Sequence, residues 1–406
     1  MTTLDPQQKR NAIWIIAGQS LTKLGDVLTN PKTVLTWMLS SLGAPGALLS
    51  MLVPVRESGS MLPQLFVSDF VKRAVRRKRV FVVGALFQAL AIAVMGAAAL
   101  WLPPAGAAWA VLGALAVFAV ARSFCSISSK DVLGRTVPKG FRGRVGGASN
   151  SISGLLSAAA AASLIVFRDR EAPVFLSWLV LAASLLWVLG AACYARIDEP
   201  DAEPQENGGD GWLERLKLVR DDRVFRGFIV ARALLLGSAL ASPLLVVLGQ
   251  QSGGRLTSLV GFIIAAGIAS GSSSLLWGRL SDRSGEWSMA AGGGVAAAAG
   301  MSGVMIAWWF PGWGDRVWVW PLVFLVFNVG YAGVRLGRKT WVIDAVEGDR
   351  RTDYVSASNT LIAVLILLTG LVHSPLQAWS PLASLGLYVT MCVAGSVAAL
   401  RLKGIA

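Results

Sequence analysis

Charged residues are scarce in this sequence. Only 15% of its 406 residues are Asp, Glu, Lys or Arg, whereas a soluble domain has about 25%. Hydrophobic residues make up 54%, and residues 80–102, 106–121 and 172–195 carry no charge at all. Because a membrane-crossing helix needs about 20 apolar residues, these stretches predict transmembrane helices and exclude an ordinary soluble domain.

Residues typical of catalysis and metal binding are also few. The chain has one His and three Cys, and the cysteines show neither metal-ligand spacing nor a disulfide framework. It contains no H-E-x-x-H or G-x-S-x-G cluster and no G-x-x-x-x-G-K-[ST] phosphate loop. The sequence therefore predicts neither an enzyme nor a nucleotide-driven pump, and it implies no metal and no cofactor beyond a proton or cation gradient.

Basic residues outnumber acidic ones, 37 against 23, which gives a net charge of +14. Such an excess in a soluble protein suggests nucleic acid, but here the bases lie in short runs between apolar segments. Twenty-eight of them fall in the termini and alternate connections, and four in the opposite connections. This bias predicts that both termini are cytoplasmic. We expect a monomer in the lipid of a bacterial inner (plasma) membrane, with a small-molecule substrate and no nucleic-acid partner.

Apolar runs bounded by charge, Gly and Pro predict twelve spans. They lie at 13–41, 46–68, 80–102, 106–128, 145–167, 172–195, 226–249, 256–278, 288–310, 317–337, 353–373 and 381–400. The long polar stretch 196–225 is predicted to be a cytoplasmic linker with an amphipathic helix near 212–220. It separates a first six-helix bundle, 1–195, from a second, 226–406.

A short string occurs twice. GGASNS at 146–151 and VSASNT at 355–360 lie 209 positions apart, and the same offset places Lys130 on Lys339. Each copy lies where a predicted cytoplasmic connection enters a span, the fifth span in one case and the eleventh in the other. We infer that the second half repeats the first. Two such halves, related by an axis along the membrane normal, are a known transporter architecture.

A further motif lies between the eighth and ninth spans, where Gly278, Asp282, Arg283 and Gly285 follow the pattern G-x-x-x-D-R-x-G. With the duplicated twelve-span layout, it resembles the major facilitator superfamily. The resemblance implies an all-α membrane protein with twelve transmembrane helices in two pseudo-symmetric six-helix bundles. It also implies a gating role for these four residues and for Asp69, their counterpart between the second and third spans, where both glycines are missing.

Charges inside the spans are the main candidates for function, because a charge near the bilayer centre costs about 2.5–3.5 kcal/mol unless it faces a cavity or a partner. Asp26 lies in the first span, before a predicted kink at Pro31, and is the first candidate for proton or cation coupling. Glu57 is the second candidate. Its neighbour Arg56 points about 100° away on the helix, so either one faces the central cavity while the other pairs elsewhere.

Candidate substrate-binding residues are cations and amides in the spans. Arg56, Arg122 in the fourth span and Arg232 in the seventh are cations that would bind an anion. Asn150 and Asn359 occupy equivalent positions in the fifth and eleventh spans. They would either line the cavity or form hydrogen bonds between helices, and we favour the second interpretation.

These features favour a secondary transporter that works by alternating access, with its site near the midplane between the halves. We expect proton-coupled export, by antiport, of a small organic molecule or drug, because the candidate cavity charges are few. Two alternatives remain open. One is proton-coupled uptake of an organic anion held by the three arginines, and the other is a non-transporting or lipid-handling relative.

Overall fold

The part of the chain that the structure describes is mainly α-helical. The computed structural model describes residues 4–138, 141–166, 172–201, 220–253, 256–345 and 350–402. Its helices are α1 Pro6–Leu28, α2 Val34–Ser41, α3 Gly46–Met61, α4 Gln64–Arg73, α5 Arg77–Trp101, α6 Pro104–Thr136, α7 Arg142–Val166, α8 Ala172–Ala195, α9 Arg223–Leu234, α10 Leu236–Leu240, α11 Ser242–Gln251, α12 Leu256–Arg283, α13 Gly285–Trp309, α14 Pro311–Gly314, α15 Val319–Ala345, α16 Arg350–Trp379 and α17 Pro381–Leu400.

Each of the twelve predicted spans contains at least one of these helices, but three spans are interrupted. The first breaks between α1 and α2, where Pro31 has no N–H to donate and the Asn30 side chain accepts the N–H of Lys32 at 2.8 Å. The second breaks at Pro63, and the seventh is divided into α9, α10 and α11. The amphipathic helix predicted near 212–220 falls mainly on residues 202–219, which lie outside the described residues.

The outer surface of the bundle is apolar. Large side chains such as Leu90, Trp109, Leu155 and Leu185 are each more than half exposed. Eight described helical segments are long and apolar enough to cross a membrane, and a ninth qualifies if the 42° bend within α12 is counted as one span. A helix satisfies its own backbone hydrogen bonds, so it can place such side chains against lipid without exposing unpaired polar groups.

The two halves of the chain meet near a pseudo-twofold axis. The Gln250 amide at the end of α11 donates to the Ser41 hydroxyl at the end of α2, at 2.5 Å. These two residues are 209 positions apart, so equivalent points of the repeat touch each other. We call this end of the bundle, opposite the chain termini, the distal end.

Helices α3 and α16 continue the contact between the halves from the distal end inward. The Ser374 hydroxyl donates to the Ala47 carbonyl at 2.9 Å, and the Ser58 hydroxyl donates to the Ala363 carbonyl at 2.7 Å. Between them, Pro54 lies so close to Gly370 that a Cβ at this glycine would be 2.5 Å from the proline ring. Small residues and hydroxyl groups thus let the two halves approach closely.

At the end of the first half that lies opposite the distal end, the segment after α8 is hydrogen-bonded to the start of α5. The carboxylate of Glu199, which is 4% exposed, accepts the N–H groups of Arg77 at 3.1 Å and of Lys78 at 2.8 Å, at the start of α5. It therefore caps α5 from a distance in sequence. Asp201 instead forms an exposed pair with Arg76 at 2.5 Å, which holds the pKa of the Asp201 carboxyl below its usual range.

We expect Glu199→Gln to destabilise the protein much more than Asp201→Asn. The first change weakens two charge-assisted hydrogen bonds at a buried helix start and should cost about 1–3 kcal/mol. The second affects a solvent-screened pair, whose loss should lower the melting temperature little. Thermal unfolding of both purified variants at neutral pH measures the difference, and equal melting temperatures would contradict the capping role.

Candidate functional site

Asp26 lies in the last turn of α1 and is held by two arginines. One of its oxygens accepts Nη2 of Arg56 from α3 at 3.0 Å. Nη1 of Arg122 from α6 lies 2.6 Å from the same oxygen and also bonds the other one. The side chains of Asp26 and Arg56 are 19% and 14% exposed, and that of Arg122 is 37% exposed. One carboxylate thus joins three helices through charge-assisted hydrogen bonds.

Arg56 is fixed on its other side by an aromatic ring. Its guanidinium carbon lies 4.5 Å from the ring centroid of Phe118, which is 1% exposed. Phe118 in turn meets Trp187 of α8 edge to face, at 5.4 Å between ring centroids. The cation–π contact restricts Arg56 to the rotamer that reaches Asp26.

Glu57 is half-buried and lies near enough to Arg56 and Arg122 to interact with them electrostatically, but it forms no ion pair in this network. Within the described residues, no basic nitrogen lies within 4.0 Å of its carboxylate. The reason is geometric: Arg56 points toward Asp26, and the next residue on the helix projects about 100° away. Of the two alternatives that the sequence leaves open, the structure has Arg56 paired and Glu57 without an ion pair.

Two cation–asparagine pairs repeat across the halves. Lys23 of α1 donates to the Asn150 side chain of α7 at 2.7 Å, and Arg232 of α9 donates to the Asn359 side chain of α16 at 3.0 Å. Lys23 and Arg232 are 209 residues apart, as are the two asparagines. Each asparagine therefore links the first and fifth predicted spans of its half.

Arg232 is the more buried cation of the two pairs. It is 6% exposed and also donates to the Ser358 hydroxyl, while its Nε has no hydrogen-bond partner. In the part of the chain that the structure describes, no carboxylate oxygen lies within 4.0 Å of it. A buried charge without an anionic partner costs stability. An anionic ligand would offset this cost, so Arg232 remains a candidate binding residue.

The acidic network belongs to the first half alone. At the offset of 209, Leu235 occupies the position of Asp26, and Tyr331 that of Arg122. The repeat therefore conserves the shape of the bundle and the cation–asparagine pairs, but it does not duplicate the carboxylate. Asp26 has no acidic counterpart in the second half, and this asymmetry is a reason to regard it as functional.

Most of the G-x-x-x-D-R-x-G motif, which the sequence analysis places between the eighth and ninth spans, is helical. Gly278, Asp282 and Arg283 lie within α12, and Ser284 alone separates them from Gly285 at the start of α13. The Ser284 side chain caps α13 by accepting the N–H of Trp287 at 3.1 Å.

A gating role for this motif stays a prediction. Asp282 and Arg283 are exposed, and neither forms an ion pair with another described residue. Asp69 lies in α4, but its side chain lies outside the described residues.

A cavity of about 170 Å³ lies between the halves and includes residues that the sequence analysis did not single out. Lys32, in the break after α1, places its ammonium 4.2 Å from the ring centroid of Tyr331 in α15. Arg335, one turn further along α15, lines the same cavity. Tyr331 could have been found from the repeat, because it is the counterpart of Arg122.

The sequence itself gives the family. A model described as Major Facilitator Superfamily matches residues 16–370. The chain belongs to this superfamily. No curated protein matches the sequence, whereas several solved structures share its fold.

Three solved structures illustrate the superfamily fold. The nucleoside transporter NupG has a TM-score of 0.75 at 11% identity, covering 96% of this chain and 99% of that one. A D-xylose-proton symporter has a TM-score of 0.68 at 12% identity, covering 96% and 97%. A POT family transporter in complex with 5-aminolevulinic acid has a TM-score of 0.69 at 10% identity, covering 96% and 95%. At these identities the likeness establishes the fold alone.

Membership of the superfamily makes this chain an integral membrane protein of a transporter family. Its fold is that of transporters built from two pseudo-symmetric six-helix bundles. In such folds the substrate site lies near the bilayer midplane, where the two halves face each other. The Asp26 network and the cavity at Lys32 are therefore the candidate functional sites of this superfamily member.

Proposed function

We propose that this protein is a secondary transporter that works by alternating access and moves a small organic molecule in exchange for protons, with Asp26 as the protonated group. The observation that carries this proposal is the network in which Asp26 holds both Arg56 and Arg122. An ionisable acid among membrane helices is a functional candidate by default, because such a residue is costly to place there and is rare unless it has a function.

Protonation of Asp26 would change the network in one step. The neutral acid no longer attracts two guanidinium groups, so α3 and α6 would lose their ionic link to α1. Because α3 also contacts the second half through α16, the protonation state of Asp26 would be coupled to the packing between the halves. Glu57, on the same helix and without an ion pair to any described residue, is the second candidate for this role.

A second candidate function is proton-coupled uptake of an organic anion. It is favoured by the cations Lys32 and Arg335 that line the cavity between the halves. Export and uptake would share the same site and the same coupling group, and both would be driven by the proton gradient. They differ in the order of binding: in export the proton and the substrate occupy the protein alternately, whereas in uptake they are carried together.

Proton coupling can be tested in proteoliposomes that enclose a pH-sensitive dye. Compounds chosen by thermal-shift screening, including carboxylates and organic cations, are applied as gradients, and the pH change in the lumen is recorded. We expect at least one compound to move protons through the wild type. We expect Asp26→Asn to lose this flux while it retains exchange of labelled solute across the membrane.

Two outcomes would contradict the proposal. If no compound moves protons or exchanges with labelled solute, the protein is not a transporter of this kind and the non-transporting alternative gains support. If Asp26→Asn keeps wild-type proton flux while Glu57→Gln loses it, Glu57 is the coupling group instead.

A further inference from the structure

We infer that the transported molecule is a small organic anion and that Lys32 and Arg335 bind its charged group. This inference rests on the proposed transport function and names the substrate class of that function. It differs from the alternative that the sequence leaves open, in which Arg56, Arg122 and Arg232 would hold an anion.

The cavity is built from both halves of the protein. Asn30 and Lys32 come from the break between α1 and α2, Ser270 from α12, and Asn328, Tyr331 and Arg335 from α15. A volume of about 170 Å³ is about ten times the roughly 10–15 Å³ that a cavity needs to hold one water molecule, which leaves room for a carboxylate or phosphate group with a short organic body. A few polar groups converging on a pocket between halves are what small-molecule sites show.

The cations of this cavity carry unpaired charge. Among the described residues, no carboxylate oxygen lies within 4.0 Å of Lys32 or Arg335. Arg56 and Arg122, by contrast, are already bound to Asp26. Charge that is not paired within the protein is available to a ligand. Of the cations without a described carboxylate partner, Lys32 and Arg335 line this cavity, whereas Arg232 does not.

The surroundings increase the positive potential. Lys339 follows on α15, and both Arg335 and Lys130 of α6 lie near enough to Lys339 to interact with it electrostatically. A cleft lined by one sign of charge between apolar helices concentrates counter-ions. Such a field attracts organic anions and disfavours cationic drugs, which narrows the class of substrate.

An anion at this place would bridge the two halves. Lys32 belongs to the first half, and its ammonium lies over the ring of Tyr331 in the second. A carboxylate bound by Lys32 and Arg335 would add a charged link across the same gap. Because Lys32 and Arg335 are carried by different halves, their separation should change as the halves rock, so substrate affinity should depend on the conformation.

Binding can be measured by thermal unfolding of the purified protein, followed by its Trp fluorescence. The probes are benzoate, phenyl phosphate and benzenesulfonate, with uncharged benzamide as the matched neutral compound and sodium chloride at equal ionic strength. We expect at least one anion, but not benzamide, to raise the melting temperature. Lys32→Gln and Arg335→Gln should each raise the Kd of that anion about tenfold or more, since each removes a charged hydrogen-bond donor.

Arg338→Gln is the control, because it removes the same charge from the same helix at a residue that does not line the cavity. It should leave the Kd within about threefold of wild type, a difference of less than 1 kcal/mol. Lys32→Arg should retain binding, which separates loss of charge from misfolding. A larger effect of phenyl phosphate than of benzoate would assign the phosphate form of the anion, and the reverse would assign the carboxylate.

The inference is wrong if no anion stabilises the protein more than benzamide does, or if Arg338→Gln weakens binding as much as Arg335→Gln. This failure can be told apart from failure of the proposed function. Anion binding without proton flux contradicts transport alone, whereas proton-coupled exchange of neutral solutes only, unaffected by Lys32→Gln, contradicts the anion site alone.

Discussion

Asp26→Asn is expected to lower the free energy of unfolding by about 3 kcal/mol, because it leaves two guanidinium groups without their anion. Breaking a buried ion pair by removing one partner costs about 3–5 kcal/mol. We expect the lower end of this range, since the side chain of Arg122 is 37% exposed and is partly screened by solvent. The denaturation midpoint of the purified variant in detergent measures the loss.

Double variants separate the pair interactions from other effects of the substitution. Asp26→Asn combined with Arg56→Gln should lose less stability than the sum of the two single changes, because the second change removes a cation that the first had left unpaired. The combination with Arg122→Gln should behave in the same way, with a smaller coupling energy. If each pair of changes is simply additive, the ion pairs do not stabilise the fold.

Gly285→Ala is expected to destabilise the protein by about 1–3 kcal/mol, whereas Gly278→Ala, in the same motif, should not. A Cβ at Gly285 would lie 2.7 Å from the backbone nitrogen of Trp341 and 2.8 Å from the carbonyl oxygen of Gly337. Both atoms belong to the backbone of α15, which cannot move aside as a flexible side chain can. Gly285 is therefore required for the close packing of α13 on α15.

Gly278 is the matched control for this substitution. A Cβ there would meet no described atom within 4 Å, and Ala is favoured over Gly in a helix interior by about 1 kcal/mol. Gly278→Ala should thus be neutral or stabilising, and in thermal unfolding only Gly285→Ala should lower the melting temperature. Equal losses would mean that the motif has a structural role beyond this packing contact.

Eight or nine described helical segments are long and apolar enough to cross a membrane, and these could be read from the sequence because bilayer thickness fixes the length of an apolar run. The repeat was equally visible, since the strings that contain Asn150 and Asn359 stand at the same offset as Lys23 and Arg232. The breaks at Pro31 and Pro63 follow from the missing N–H of proline. The division of α9 from α10 has no comparable signal, as neither Leu235 nor its neighbours restrict the backbone.

The partners of the charged residues could not be read in this way. Asp26 binds Arg56 and Arg122, which lie 30 and 96 residues away, and nothing local in the sequence favours these partners over Lys23. Lys23 is only three residues from Asp26, yet it bonds Asn150 of another helix. Lys32 lies within the first predicted span, but nothing in the sequence assigns it a role, because its importance depends on the approach of α15.

The sequence by itself determined that this protein is a duplicated helical membrane protein of the transporter superfamily, because run length, charge bias and repeat are local or periodic properties of the chain. The tertiary structure decided which cations are bound to Asp26 and which remain available at Lys32 and Arg335. That choice depends on how helices from distant parts of the chain cross, since a hydrogen bond or ion pair requires a few ångströms of separation in space, whatever the separation in sequence.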